Sequence, residues 1–248
     1  MTHSGSRKRL FLLVWLSGLP GIAAVTWLVL PALVADRALP MPIWAVQLAA
    51  AAQSALLLAA AAAAGAFLAH QVNLRAPVYS ALTNGTPVLG PLRQQVLPGV
   101  IGGVLGAAVI SAFTFVAPKP LLQLSNQFSI PAAARLLYGG ITEELLLRWG
   151  LMSLMLWLLW RFAQRRKGVP SSTLVAVAVA TSAVLFGVGH LPAASAMIGQ
   201  LTLGISAYLV AANASFGLIA GWLFWRYGLE SAIIAHITVH AILSATSQ

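Results

Sequence analysis

The chain contains no cysteine, and its 248 residues include only four acids, Asp36, Glu143, Glu144 and Glu230. The first absence excludes disulfides, thiolate metal ligands and a cysteine nucleophile. The second makes each carboxylate a position to be explained, because charged residues make up 7% of the chain against about 25% in soluble domains. Hydrolytic or metal chemistry must therefore come from His, Glu, Asp, Ser or Thr. Long hydrophilic segments are also missing. The one sizeable polar stretch, 70–95, is broken by Pro77, Pro87, Pro91 and the turn signal Asn84-Gly85, too little for a soluble domain. No internal repeat or inverted-repeat symmetry of the transporter type is present.

What is there is apolar: 60% hydrophobic residues and a mean hydropathy of +0.89. A bilayer-crossing helix needs about 20 such residues. Candidate runs fall at 10–35, 42–69, 96–117, 131–162, 171–190, 196–226 and 230–246. The expected fold is all-α, a polytopic membrane helical bundle of seven transmembrane helices. The count rises to eight if the long run 196–226 breaks at its small, polar patch Ala211-Ala212-Asn213-Ala214-Ser215. The first run is too long for a signal-peptide core and reads as a retained span.

The net charge of +10 does not point to nucleic acid, because the basic residues cluster at the ends of apolar runs. With seven spans and a cytoplasmic N-terminus, the inner side collects ten of them, from Arg7, Lys8 and Arg9 to Arg161, Arg165, Arg166, Lys167 and Arg226. Arg37, Lys119 and Arg135 are left outside, in keeping with the positive-inside bias. The basic clusters also suit contact with anionic headgroups. Gly102 with Gly106, and Gly217 with Gly221, are small pairs four apart that let helices approach closely.

Ionisable groups at membrane depth survive mainly where they pair or work, and three segments carry them. In Thr142-Glu143-Glu144-Leu145-Leu146-Leu147-Arg148, Glu144 and Arg148 share a helix face, while Glu143 is turned about 100° away without a local partner. One glutamate thus reads as structural and the other as available. The second segment ends a run at Phe186-Gly187-Val188-Gly189-His190. The third, His236-Ile237-Thr238-Val239-His240, projects two imidazoles from one face; these can ligate a metal, relay protons or donate hydrogen bonds. Glu143 and His190 sit at similar depth. His236 falls only about 9 Å above Glu230 along a helix, low relative to His190.

These segments, in this order in successive helices, resemble the CAAX-processing and bacteriocin-processing (CPBP or Abi) intramembrane proteases. That family's pattern is Glu-Glu-x-x-x-Arg, then Phe-x-x-x-His, then His-x-x-x-Asn or Asp. The matches are Glu143, Glu144 and Arg148; Phe186 and His190; and His236, with His240 in place of Asn or Asp. The resemblance covers 130–246, the expected protease core, preceded by three further spans and a polar loop in 1–129. It implies an endopeptidase that cuts a membrane protein or lipidated peptide in the bilayer, as in CAAX-type, leader or sorting-signal processing. The expected setting is the inner membrane of a bacterial cell.

In the implied mechanism Glu143 is general base to a water that His190 helps to orient. His236 and His240 stabilise the oxyanion, and Glu144 with Arg148 holds its helix in register. Members of the family are described both as metalloproteases and as glutamate proteases. Glu143, His190, His236 and His240 would form the set for Zn²⁺. The metal-free reading is favoured, because zinc would consume Glu143 and leave as base only Glu144, which Arg148 already holds. Two other classes compete: a non-catalytic membrane scaffold or immunity protein, which would fill the space around Glu143 and His190 with side chains, and a proton-coupled transporter, which needs a path to both faces.

Overall fold

The structure is a computed structural model that describes residues 3–35, 38–127 and 129–246; Asp36 and Arg37 lie outside them. The described residues form helices joined by short turns and loops and contain no strand. Seven helices are long and apolar enough to cross a membrane: α1 (Gly5–Leu33), α2 (Ile43–Val72), α3 (Leu89–Thr114), α4 (Ala134–Phe162), α5 (Ser172–Ile198), α6 (Leu203–Arg226) and α7 (Leu229–Thr246). The chain is thus an integral, multi-pass membrane protein.

The run 196–226 yields a single span, so the count stays at seven, and its one turn is not at Ala211–Ser215. It comes earlier, at Gly199, whose φ of +80° glycine adopts without steric cost. Thr202 then caps α6 by accepting the Ile205 N–H at 3.3 Å, as an N-cap threonine does. The polar patch stays helical because its side chains bond back along α6. Asn213 Nδ2 donates to the Leu209 carbonyl at 2.8 Å and Ser215 Oγ to Ala211 at 2.7 Å. The polar stretch 70–95 is also more ordered than expected. It holds a short helix, Pro77–Asn84, closed by Gly85 at φ +67°, and α3 has begun by Leu89.

The bundle is held by close approaches at small residues. On α3, Gly99, Gly102, Gly103 and Gly106 lie against Ile234, Leu223, Thr238 and Phe216, side chains of α6 and α7. Gly217 and Gly221 of α6 receive Ala183 and Val179 of α5. Both expected glycine pairs therefore serve packing, where a Cβ would force neighbouring helices apart.

Glu230, just before the last apolar run, is covered by another part of the chain. Its side chain is buried, and Oε1 accepts the Val78 and Tyr79 N–H groups at 2.8 and 2.9 Å. It satisfies the orphan donors of the first turn of Pro77–Asn84. The Leu229 N–H donates to the Arg75 carbonyl at 3.0 Å. Residues 75–79 thus cover the start of α7. Glu230→Ala, by orphaning two buried N–H groups at roughly 1–3 kcal/mol each, is expected to lower the thermal midpoint in detergent. Glu230→Gln keeps an acceptor and should lower it less.

α4 departs most from expectation. Ala134–Thr142 and Leu145–Met152 are π-helical, on either side of Glu143 and Glu144. Such i→i+5 segments widen the helix and occur often at functional sites.

Candidate active site

Four helices converge on Glu144. Its carboxylate is fully buried, ion-paired to Arg148 Nε at 3.2 Å and hydrogen-bonded by His236 Nδ1 at 2.8 Å. Arg148, equally buried, donates from Nη2 to the Gly217 carbonyl at 3.2 Å and lies over the Phe186 ring, 4.8 Å from its centroid. The pair therefore joins α4 to α5, α6 and α7, a wider role than holding one helix in register. Thr142, the residue before the two glutamates, fixes α4 against α1 by donating to the Gly18 carbonyl at 2.8 Å. Gly21 leaves room for that contact.

Glu143 faces the other way. It lines a cavity of about 300 Å³ and is partly exposed; no described residue hydrogen-bonds or ion-pairs with it. The division between a held and an available glutamate is what the sequence led one to expect. His190, His236 and His240 line the same cavity, so the three motif segments meet. The surrounding wall is mainly apolar and includes Val29, Leu33, Ile110, Ala134, Ala193 and Leu243. These come from the ends of α1, α3, α5 and α7 and the start of α4, which puts the cavity in the half of the bundle away from the N-terminus.

The ring nitrogens have distinct assignments. His190 Nδ1 lies 2.8 Å from the Phe186 carbonyl, which can only accept, so Nδ1 carries the proton and Nε2 of the neutral ring has a free lone pair. His236 is bound in the same way by Glu144. A neutral His236 thus presents an acceptor at Nε2, and the donor role expected of it would require the imidazolium. His240 stacks on His236 with centroids 4.8 Å apart and planes 17° from parallel; Gly139 of α4 makes the space its Nε2 occupies. Phe186 packs edge-on against His190 at 4.8 Å and His236 at 5.9 Å, which accounts for an aromatic ring four residues before His190.

Three polar cavity residues escaped the reading of the sequence: Asn213, Arg135 and Tyr138. Asn213 was visible there only as part of a polar patch. Its side chain spends one N–H on Leu209 and keeps the other and its carbonyl oxygen. Arg135 was visible only as a topology marker, and it too lines the cavity. Glu143, His190, His236 and His240, the residues that would hold zinc, all line this cavity, but among the described residues no group of three or more His, Cys, Asp or Glu is placed as a metal-ion site.

Residues 125–242, just under half of the chain and all three motif segments, match the family model described as Rce1-like, type II CAAX prenyl endopeptidase Rce1-like. No curated protein and no solved structure matches the chain.

Proposed function

A chain whose residues 125–242 are Rce1-like carries the segment of the CAAX-protease family, and from that premise we propose that it is an intramembrane endopeptidase in which Glu143 activates water. The observation that carries this reading is the different fate of the two glutamates: Glu144 is held by Arg148 and His236, whereas Glu143, with no partner among the described residues, lines the cavity that His190 also lines.

Water between the Glu143 carboxylate and His190 Nε2 gives a proton to Glu143 as its oxygen attacks the carbonyl carbon of the substrate. The carbonyl oxygen becomes an oxyanion and needs donors already in position. With Nδ1 taken by Glu144, His236 would donate from Nε2 only as the imidazolium. His240, through either ring N–H, and the remaining N–H of Asn213 supply them. Glu143 then passes its proton to the amide nitrogen, the C–N bond breaks, and an acid and an amine leave.

An open cavity shared by Glu143 and His190 supports this reading over a scaffold, which would have filled it with side chains. A transporter needs a route to both faces, and the cavity walls come from one half of the bundle. With the N-terminus in the cytoplasm of a bacterial cell, as the basic clusters favour, the site serves substrates held in the outer half of the inner membrane. The core is residues 130–246, and the spans in 1–129 supply part of the cavity wall through Val29, Leu33 and Ile110.

The test is cleavage of a fluorogenic peptide library by the purified protein in proteoliposomes, with and without a strong chelator and with bound metal measured. Cleavage that survives chelation is expected. Chelator-sensitive cleavage with stoichiometric zinc would sink the role of Glu143 as base, and no cleavage of any member would count against the protease reading.

A further inference from the structure

A second cavity lies away from the hydrolytic site, in the half of the bundle that holds the N-terminus, where Ser6 donates to Asn84 at 3.2 Å. It is a groove of about 390 Å³ between α3 and α6, walled by Pro98, Ile101 and Leu105 on one side and by Leu218, Ile219 and Trp222 on the other. Its floor is Gly102 against Leu223, which pack so closely that a Cβ on the glycine would collide. Ile101, Leu105, Leu218 and Trp222 are exposed, so the groove opens sideways, toward the bilayer. Leu218 and Arg226 are eight residues apart, about 12 Å of helix. One leaflet of the hydrocarbon core is about 15 Å thick.

The groove has a charged end. Arg226 follows Trp222 by four residues, on the same face of α6, and is exposed. Its guanidinium lies 5.5 Å from the Trp225 ring centroid, a contact that leaves the charge in place. Arg75, also exposed, reaches this end by donating from Nη2 to the Arg226 carbonyl at 3.3 Å. Tyr227 completes the lining and packs edge-on to Trp222 at 5.7 Å, an aromatic pair of the kind found at headgroup level. No described carboxylate ion-pairs with either arginine: Glu144 is bound by Arg148 and His236, and Glu230 caps the helix Pro77–Asn84. Asp36, outside the described residues, follows the far end of α1, a helix of 29 residues.

We propose that this groove binds one anionic phospholipid, with an acyl chain between α3 and α6 and the headgroup phosphate held by Arg226 and Arg75. An apolar groove alone would take any lipid tail in passing, and exposed arginines alone would attract anionic lipids without fixing one. Here the two are continuous, and their separation matches a lipid standing in the leaflet on the N-terminal side. The lipid bridges α3 and α6, which both pack against the His236 helix α7. Because the groove exists only in the folded bundle, its occupant stabilises that bundle.

The test is native mass spectrometry of the whole protein in detergent with an equimolar mixture of phosphatidylglycerol and phosphatidylcholine carrying the same chains. One phosphatidylglycerol per protein is expected to be retained, preferred about 10-fold, the scale set by one or two basic residues at an anionic headgroup. Arg226→Gln should bring the two lipids level. Ile101→Trp, which fills the groove from its exposed rim, should abolish retention of either. Lys167→Gln, in the basic cluster after α4, is the control and should change nothing. Thermal midpoints without added lipid show that each variant is folded. Equal retention of the two lipids by the unaltered protein, or no retention, overturns the proposal. So does a preference that survives Arg226→Gln or a lipid retained in Ile101→Trp, and so does an equal loss in Lys167→Gln, which would mean diffuse surface attraction. None of these substitutions touches the catalytic cavity, so the outcome is independent of the protease reading.

Discussion

Replacing Glu143 by glutamine is expected to lower kcat by about 10²- to 10⁴-fold, the usual contribution of a positioned general base, while the thermal midpoint hardly moves. The amide has nearly the shape of the carboxylate and cannot accept the proton of the attacking water. No described residue hydrogen-bonds or ion-pairs with Glu143, so no structural contact is lost. The prediction is checked by single-turnover cleavage in proteoliposomes alongside thermal unfolding in detergent. A Glu143→Gln enzyme that retained more than about a tenth of the wild-type rate would show that another group activates the water. A large fall in midpoint with the loss of activity would instead mark Glu143 as a structural residue.

The second large effect concerns the neighbouring glutamate and has the opposite signature. Arg148→Met is expected to cost about 3–5 kcal/mol of stability, because it leaves a fully buried carboxylate without its counter-ion. It also abandons the Gly217 carbonyl and the face of Phe186, to which Arg148 is joined. Combining it with Glu144→Gln should recover most of that loss. The glutamine carbonyl still accepts the His236 Nδ1 proton, methionine fills the space of the guanidinium stem, and no buried charge remains. Replacing a buried ion pair as a unit is often neutral or stabilising, whereas breaking it is not. Thermal midpoints of the two single variants and the double variant form a mutant cycle. A double variant no more stable than Arg148→Met would mean that the loss lies in packing rather than in the unpaired charge.

Much of the site could be read from the chain because charge in this protein is so scarce. Four acids in 248 residues made Glu143 and Glu144 conspicuous, and a four-residue spacing identified Arg148 as the partner of Glu144. The ion pair survives the π-helical winding around it. Arg135 and Asn213 were not legible as site residues for a common reason. An arginine near a span end reads as topology and an asparagine in a small-residue run reads as a helix break, and nothing in either pattern says which cavity the residue borders. Glu230 misled in the same way. Its place just before an apolar run looked interfacial, and only the helix Pro77–Asn84, more than 140 residues earlier, explains why it is buried.

The sequence by itself determined the class, an all-helical membrane protein with seven spans, and the three segments that carry its ionisable groups. Hydropathy, helical spacing and charge are local quantities, readable within 20 residues or so. Only the tertiary structure decided which nitrogen of His236 is taken by Glu144, since that contact joins residues 92 apart in sequence. It also decided that the cavity lies in the half of the bundle away from the N-terminus and that Arg135 and Asn213 face it. These depend on how helices pack against one another, and close packing at residues such as Gly103, Gly139 and Gly217 fixes that globally rather than within any one span.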